Sequence, residues 1–123
     1  MSIPRLSTEL TAEEQIPIVR VHGEIDLYTV PEFEDALKSG MQSPFPGLIV
    51  DLTDISYVDS AGLGALLAAY KNLSKRDGRL FIVANPHSPG VRKILEITRL
   101  DTILNVVGTL KDAIDGLRSS KAA

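Results

Sequence analysis

Two short stretches of the chain are apolar without alternation, residues 47–52 and 80–84, as expected of central strands buried on both faces. Residues 16–22 alternate instead, with Val19 and Val21 on one side and Arg20 and His22 on the other, and predict a further strand. Pro17 near its start suits an edge or an opening position. Residues 5–10 alternate weakly through Leu6, Thr8 and Leu10, and residues 103–107 form a short β-branched run; both predict edge strands. After residues 16–22 the chain leaves its strand at Gly23-Glu24-Ile25-Asp26.

Between these runs the apolar period lengthens to that of a helix. Phe33, Leu37 and Met41 share a face behind Thr29 and Glu32, which have capping-box spacing, with Pro31 in the first turn and Gly40, Pro44 and Pro46 as the stop. Leu63, Leu66, Leu67, Tyr70 and Leu73 predict a second helix ending near Asp77-Gly78. Ser88 and Pro89 read as a cap and first-turn proline before Val91, Ile94 and Leu95. Thr109 caps a last helix through Leu110, Ala113, Ile114 and Leu117, and residues 119–123 are expected to fray. An opening pair of strands followed by alternating helices and strands specifies an α/β fold with a mixed, largely parallel sheet of four to five strands and four to five helices. No repeat and no linker divides residues 1–123, so a single domain with its core at about 5–118 is expected.

Composition narrows the functions available. At 44% hydrophobic and 24% charged residues, the chain has the balance of a globular protein. A net charge of −3 and no long basic run give nothing that draws it to nucleic acid or an anionic membrane. The longest apolar run, residues 65–70, is far short of the ~20 residues that span a bilayer. No signal-peptide pattern opens the chain and no cysteine occurs, so a cytoplasmic protein without disulfides or thiolate chemistry is expected.

No catalytic constellation emerges. Ser60 has Gly62 after it but Val58 before it, so the G-x-S-x-G elbow of a serine hydrolase is absent. The two histidines, His22 in an alternating strand and His87 beside Pro86, fit structural or solvent-facing roles, and with no cysteine a zinc site is not expected. Gly62-Leu63-Gly64 starts like a dinucleotide fingerprint but has Leu67 at the third small position. No cofactor is expected.

The segment Asp59-Ser60-Ala61-Gly62-Leu63-Gly64 follows a strand and opens a helix, where amide N–H groups lack partners. In the plain reading, Asp59 or Ser60 is the cap and the glycines serve packing. A functional reading rests on three features. Two adjacent residues could cap where one suffices. Ala61, Gly62, Gly64, Ala65 and Ala68 leave the first turns bare enough for another backbone to approach. Ser60 is the only hydroxyl between Tyr57 and Tyr70. A phosphate there would add a charge of about −1.5 to −2, which a helix N-terminus tolerates and a tightly packed partner does not.

Gly23-Glu24-Ile25-Asp26 after a strand and Asp59 to Gly64 opening a helix closely resemble the anti-sigma factor antagonists with a STAS domain, over roughly residues 5–118. The resemblance implies that Ser60 is phosphorylated by a cognate anti-sigma factor, a serine kinase of the histidine-kinase-like ATPase fold. It makes Asp26, Asp59, Ser60, Ala61, Gly62 and Gly64 the partner-binding residues. The unphosphorylated form would bind the anti-sigma factor and free the sigma factor, and a PP2C-type phosphatase would restore that form. Ala61 stands where many relatives carry Ser or Thr, which leaves Ser60 as the lone acceptor. Two alternatives remain: a constitutive accessory subunit of a transport or stressosome-type complex, and an anion or nucleotide binder using the Gly62–Gly64 turn.

Overall fold

A computed structural model describes residues 5–87 and 89–119. The order is β1 (Leu6–Glu13), β2 (Ile16–Ile25), α1 (Val30–Met41), β3 (Gly47–Val58), α2 (Ser60–Ser74), β4 (Arg79–Val83), α3 (Pro89–Ile97), a 3-10 turn (Leu100–Thr102), β5 (Asn105–Val107) and α4 (Leu110–Ser119). The five strands form one sheet in the order β1-β2-β3-β4-β5, with β1 antiparallel to β2 and the other pairs parallel. That is the mixed, largely parallel sheet the pattern predicts.

The layering follows from this order. Strands β2 to β5 advance across the sheet without reversing, and each crossover between parallel neighbours is right-handed by preference. Successive right-handed crossovers deliver their helices to one face. Accordingly Phe33 and Leu37 of α1, Leu66 and Leu73 of α2, and Val91 and Leu95 of α3 share a core with Val19, Val21, Leu48, Val50, Leu80 and Ile82. The opposite face is closed by α4, whose Ala113, Ile114 and Leu117 pack on Ile16, Ile18, Ile49, Phe81 and Val83. Alternate residues of β3 and β4 thus enter two different cores, which is why those runs show no polar–apolar alternation.

Several expected boundaries shift. The chain does not leave β2 at Gly23; the strand continues through Ile25 across two register shifts against β3. Pro17 takes the opening position of an interior strand, opposite Ala12 of β1. Gly40 is not the stop of α1 but a buried residue within it, where a methyl would meet Leu48 Cδ1 at 2.7 Å. On α2 the buried residues are Gly62, Ala65, Leu66, Ala69 and Leu73, while Leu63, Leu67 and Tyr70 are half-buried, because small residues let the helix axis approach the sheet. Thr109 does cap α4, its Oγ1 accepting the Asp112 N–H at 3.1 Å. Pro89 begins α3, while the expected cap Ser88 lies outside the described residues. Ser119 closes α4, and residues 120–123 also lie outside them.

The continuation of β2 depends on Gly23. Its φ of +109° is a conformation that L side chains rarely adopt, and a Cβ there would lie 2.1 Å from the Arg5 carbonyl oxygen. That close approach lets Arg5 accept the Glu24 N–H at 2.8 Å. Gly23→Ala is therefore expected to destabilise the fold by roughly 2 kcal/mol or more, read as a lower urea midpoint.

Candidate functional site

The two motifs meet because β2 and β3 are hydrogen-bonded in parallel to their last residues. Ile25 is paired with Val58, and the Asp59 N–H then donates to the Ile25 carbonyl at 3.1 Å. Asp26 and Asp59 each follow directly, so both motifs emerge side by side at the carboxyl end of the sheet. This is where open parallel sheets commonly place their sites.

At the start of α2 the division of labour between the two candidate caps is clear. Asp59 is the N-cap, in extended conformation, and its Oδ1 accepts the N–H groups of Ala61 at 2.9 Å and Gly62 at 3.4 Å. Ser60 is the first helical residue and is exposed, and its side chain makes no hydrogen bond among the described residues. The hydroxyl is free because its neighbour has taken the cap. The same geometry weighs against the Gly62–Gly64 turn as an anion site, since the Asp59 carboxylate already takes the Ala61 and Gly62 amides and the Asp59 carbonyl takes the Leu63 amide at 3.1 Å.

The small residues of α2 divide into two sets. Gly62 is buried, and a methyl there would come within 2.6 Å of Val58 Cγ2 and 2.7 Å of Ile25 Cγ2. It therefore seats the helix on the sheet and lies beneath the surface on which it was expected. Ala65 and Ala69 face inward with it. Gly64 and Ala68 are exposed, a methyl at Gly64 would meet nothing within 4 Å, and Ala61 is half-buried. Ser60, Gly64 and Ala68 stand at i, i+4 and i+8 and make one bare outward stripe.

Asp26 is only 8% exposed and is fully engaged. Its Oδ1 accepts the N–H groups of Tyr28 at 2.9 Å and Thr29 at 3.0 Å, and its own N–H donates to Thr29 Oγ1 at 2.9 Å. The reciprocal box at this helix start is thus Asp26 with Thr29, not the expected Thr29 with Glu32; the Thr29 hydroxyl donates back to the Glu24 carbonyl at 2.9 Å. Arg5 closes the cluster, its guanidinium bonding to Asp26 and, at 3.3 Å, to Glu24. Burial pushes the Asp26 carboxyl up, but the Thr29 and Tyr28 amides, the Arg5 charge and the Thr29 hydroxyl together hold it below its ordinary value of 3.8. Of the expected residues, Asp59, Ser60, Ala61 and Gly64 offer surface, whereas Asp26 and Gly62 act from beneath it. The fixing role of Arg5 has no sequence signal, since it is a lone arginine before a weak strand.

A family model of the STAS domain matches residues 7–113, most of the chain. The chain belongs to the STAS domain family. Among its STAS relatives, the anti-sigma-B factor antagonist of Staphylococcus aureus is 36% identical over 101 residues, covering 82% of this chain and 92% of that protein. The crystal structure of an anti-sigma factor antagonist from Mycobacterium paratuberculosis superposes with a TM-score of 0.85 at 32% identity, over 96% of this chain and 99% of that one. The Bacillus cell fate determinant SpoIIAA, solved in its phosphorylated form, superposes with a TM-score of 0.65 at 25% identity, over 89% of this chain and 97% of that one. No helix among the described residues of this STAS chain is long and apolar enough to cross a membrane.

Two substitutions on α2 separate the inward from the outward glycine. Gly62→Ala is expected to destabilise the fold by about 1–3 kcal/mol through overpacking against Val58 and Ile25. Gly64→Ala, in open space, is expected to stabilise it by up to about 1 kcal/mol. Urea unfolding of both variants checks the contrast. For Asp26, a folded carboxyl titrating below 3.8 stabilises the fold in full above that value and loses its contribution as acid protonates it. Asp26→Asn should therefore lower stability at neutral pH, and its difference from the parent should shrink as pH falls through this range.

Proposed function

We propose that this chain is an anti-sigma factor antagonist, a binding protein without chemistry of its own, in which Ser60 is the phosphate acceptor that switches binding off. The observation that carries this reading is the Ser60 hydroxyl, exposed at the head of α2 and released from capping by Asp59. The relatives described as anti-sigma factor antagonists support it, as does the existence of a phosphorylated form of SpoIIAA.

In this reading the partner is an anti-sigma factor that is also a serine kinase of the histidine-kinase-like ATPase fold. The bare stripe of Gly64 and Ala68 lets its surface close on α2 and brings its bound ATP to Ser60. The Ser60 oxygen attacks the γ-phosphorus, and the new P–O bond forms as the bond to the bridging oxygen breaks, with ADP as the leaving group held in the kinase site. The hydroxyl proton passes to a base supplied by the kinase. The phosphoserine then carries about −1.5 to −2 charges beside the Asp59 carboxylate and opposite the phosphates of ADP. Like charges in a water-poor interface repel, and the complex separates.

The fold has little stake in the exchange, because the Ser60 side chain makes no hydrogen bond among the described residues. Hydrolysis by a PP2C-type phosphatase returns the binding form. Both partners and the sigma factor place the cycle in the cytoplasm.

Incubation with the cognate anti-sigma factor and ATP is expected to add one phosphate, located at Ser60 by intact mass and peptide mapping. Ser60→Ala should bind without being switched off, and Ser60→Asp should bind more weakly by ~1–3 kcal/mol. Phosphate on another residue, or equal affinity for parent and both variants, would refute the mechanism.

A further inference from the structure

The turn between β2 and α1 holds two large apolar side chains in solvent, Leu27 at 68% and Tyr28 at 81% exposure. Neither belongs to either core. A turn that displays apolar groups to water for no packing gain would ordinarily be left loose. Here the backbone beneath them is fixed. The Tyr28 and Thr29 amides are held by Asp26 Oδ1, the Asp26 amide by Thr29 Oγ1, and the Val30 amide by the Asp26 carbonyl at 2.9 Å. Arg5 ties down Asp26 and Glu24 while its guanidinium carbon stands 5.9 Å from the Tyr28 ring centroid. The main-chain entropy that docking would otherwise cost is already spent in folding.

This turn lies beside the candidate site, because Ile25 and Val58 are paired and Asp59 bonds to Ile25. The surroundings are acidic: Glu24 and Glu32 flank Tyr28 four residues to either side, and Asp59 heads the neighbouring helix. Arg5 offsets only part of that charge, being bonded to both Glu24 and Asp26.

We infer that Leu27 and Tyr28 are the apolar anchor that determines which anti-sigma factor docks on the Ser60 face, and that the matching partner surface is an apolar cleft rimmed by basic side chains. This rests on the proposed function and adds a recognition element on a different segment from Ser60. Affinity and partner choice reside in the turn, and the phosphate switch resides in the helix. A rigid aromatic seated in a cleft behaves as a hot spot, and the charge around it orients the encounter.

The full chain is titrated against its anti-sigma factor with ADP bound, as parent, Leu27→Ala/Tyr28→Ala, Tyr28→Ala and Tyr28→Phe. Tyr28→Ala is expected to raise Kd by roughly tenfold or more, mainly through faster dissociation, and the double variant by more. Tyr28→Phe should stay within about threefold, since the ring supplies the anchor. In the phosphorylation assay KM should rise with Kd while kcat stays within about twofold, because the anchor does not touch the reacting atoms. Parent affinity should fall as salt rises from about 0.05 to 0.3 M, as a basic rim requires.

A double variant that binds within about twofold of a tightly binding parent overturns this inference alone and leaves Ser60 phosphorylation standing. A fall in kcat at constant KM, or affinity insensitive to salt, also overturns it. A parent that neither binds nor is phosphorylated overturns it together with the proposed function.

Discussion

A single main-chain hydrogen bond, from the Asp59 N–H to the Ile25 carbonyl, is the last rung of the parallel ladder between β2 and β3. It decides what the carboxyl end of the sheet can do. The motifs at residues 23–26 and 59–64 are more than thirty residues apart in the chain, and neither strand alone would bring them together. Pairing that persists to the final residue of each strand sets Asp26 and Asp59 at the same edge, with one turn leading into α1 and the other directly into α2. Two register shifts, each taken up by one extra residue of β3, leave the ladder intact to that point. The second shift falls where Gly23 faces Ile55 and Glu24 faces Tyr57, so the extra residue is Ser56 of β3, and pairing resumes at once to set the turn carrying Leu27 and Tyr28 beside the head of α2.

The head of α2 then has to satisfy two steric demands that pull in opposite directions. The helix must sit close enough to the sheet to bury Leu66 and Leu73 fully, which requires minimal side chains at Gly62, Ala65 and Ala69. Under the proposed function it must also stay bare on its outer side for a partner to come near, which requires the same at Gly64 and Ala68. Both demands lower intrinsic helicity, because glycine disfavours the helical backbone by about 1 kcal/mol relative to alanine. A strong N-cap offsets part of that loss, and Asp59 supplies it with two amide contacts. In that reading the unusual composition of this turn is the superposition of a packing constraint on its buried residues and a surface constraint on its exposed ones.

How much of this was legible beforehand depends on whether the signal was local. The alternation of strands and helices, the doubly buried β3 and β4, and the cap at Thr109 were all visible in periodicity, because each follows from which face of an element meets the core. The continuation of β2 past Gly23 was not, since a glycine there reads as a break until the Arg5 carbonyl is known to stand against it. The capping box was displaced by three residues for a related reason. Asp26 sits before a turn of three residues rather than before a helix, so only the folded chain shows that its carboxylate and Thr29 satisfy each other. Gly62 and Gly64 look equivalent in sequence, and helix rotation alone tells them apart. For the candidate site, Ser60 and Asp59 stood out from spacing, while the contribution of Arg5 depends on contacts between residues about twenty positions apart and leaves no local trace.

A switch built on covalent modification needs the modified group to be energetically idle in the folded state and decisive in the bound one. Ser60 meets the first condition for a specific reason. Had its hydroxyl been the cap, esterification would have removed the acceptor geometry that holds the first turn, and the modification would have loosened the helix as well as the interface. With Asp59 on the Ala61 and Gly62 amides, the first turn is already satisfied. The same carboxylate limits how well an added phosphate can settle back onto the helix, since the best-placed donors are taken and like charges lie side by side. A phosphate on Ser60 would therefore be left facing outward, toward whatever docks. Under the proposed function, Asp59 therefore does two things with one side chain: it frees the acceptor hydroxyl, and it keeps the phosphate in the path of the partner.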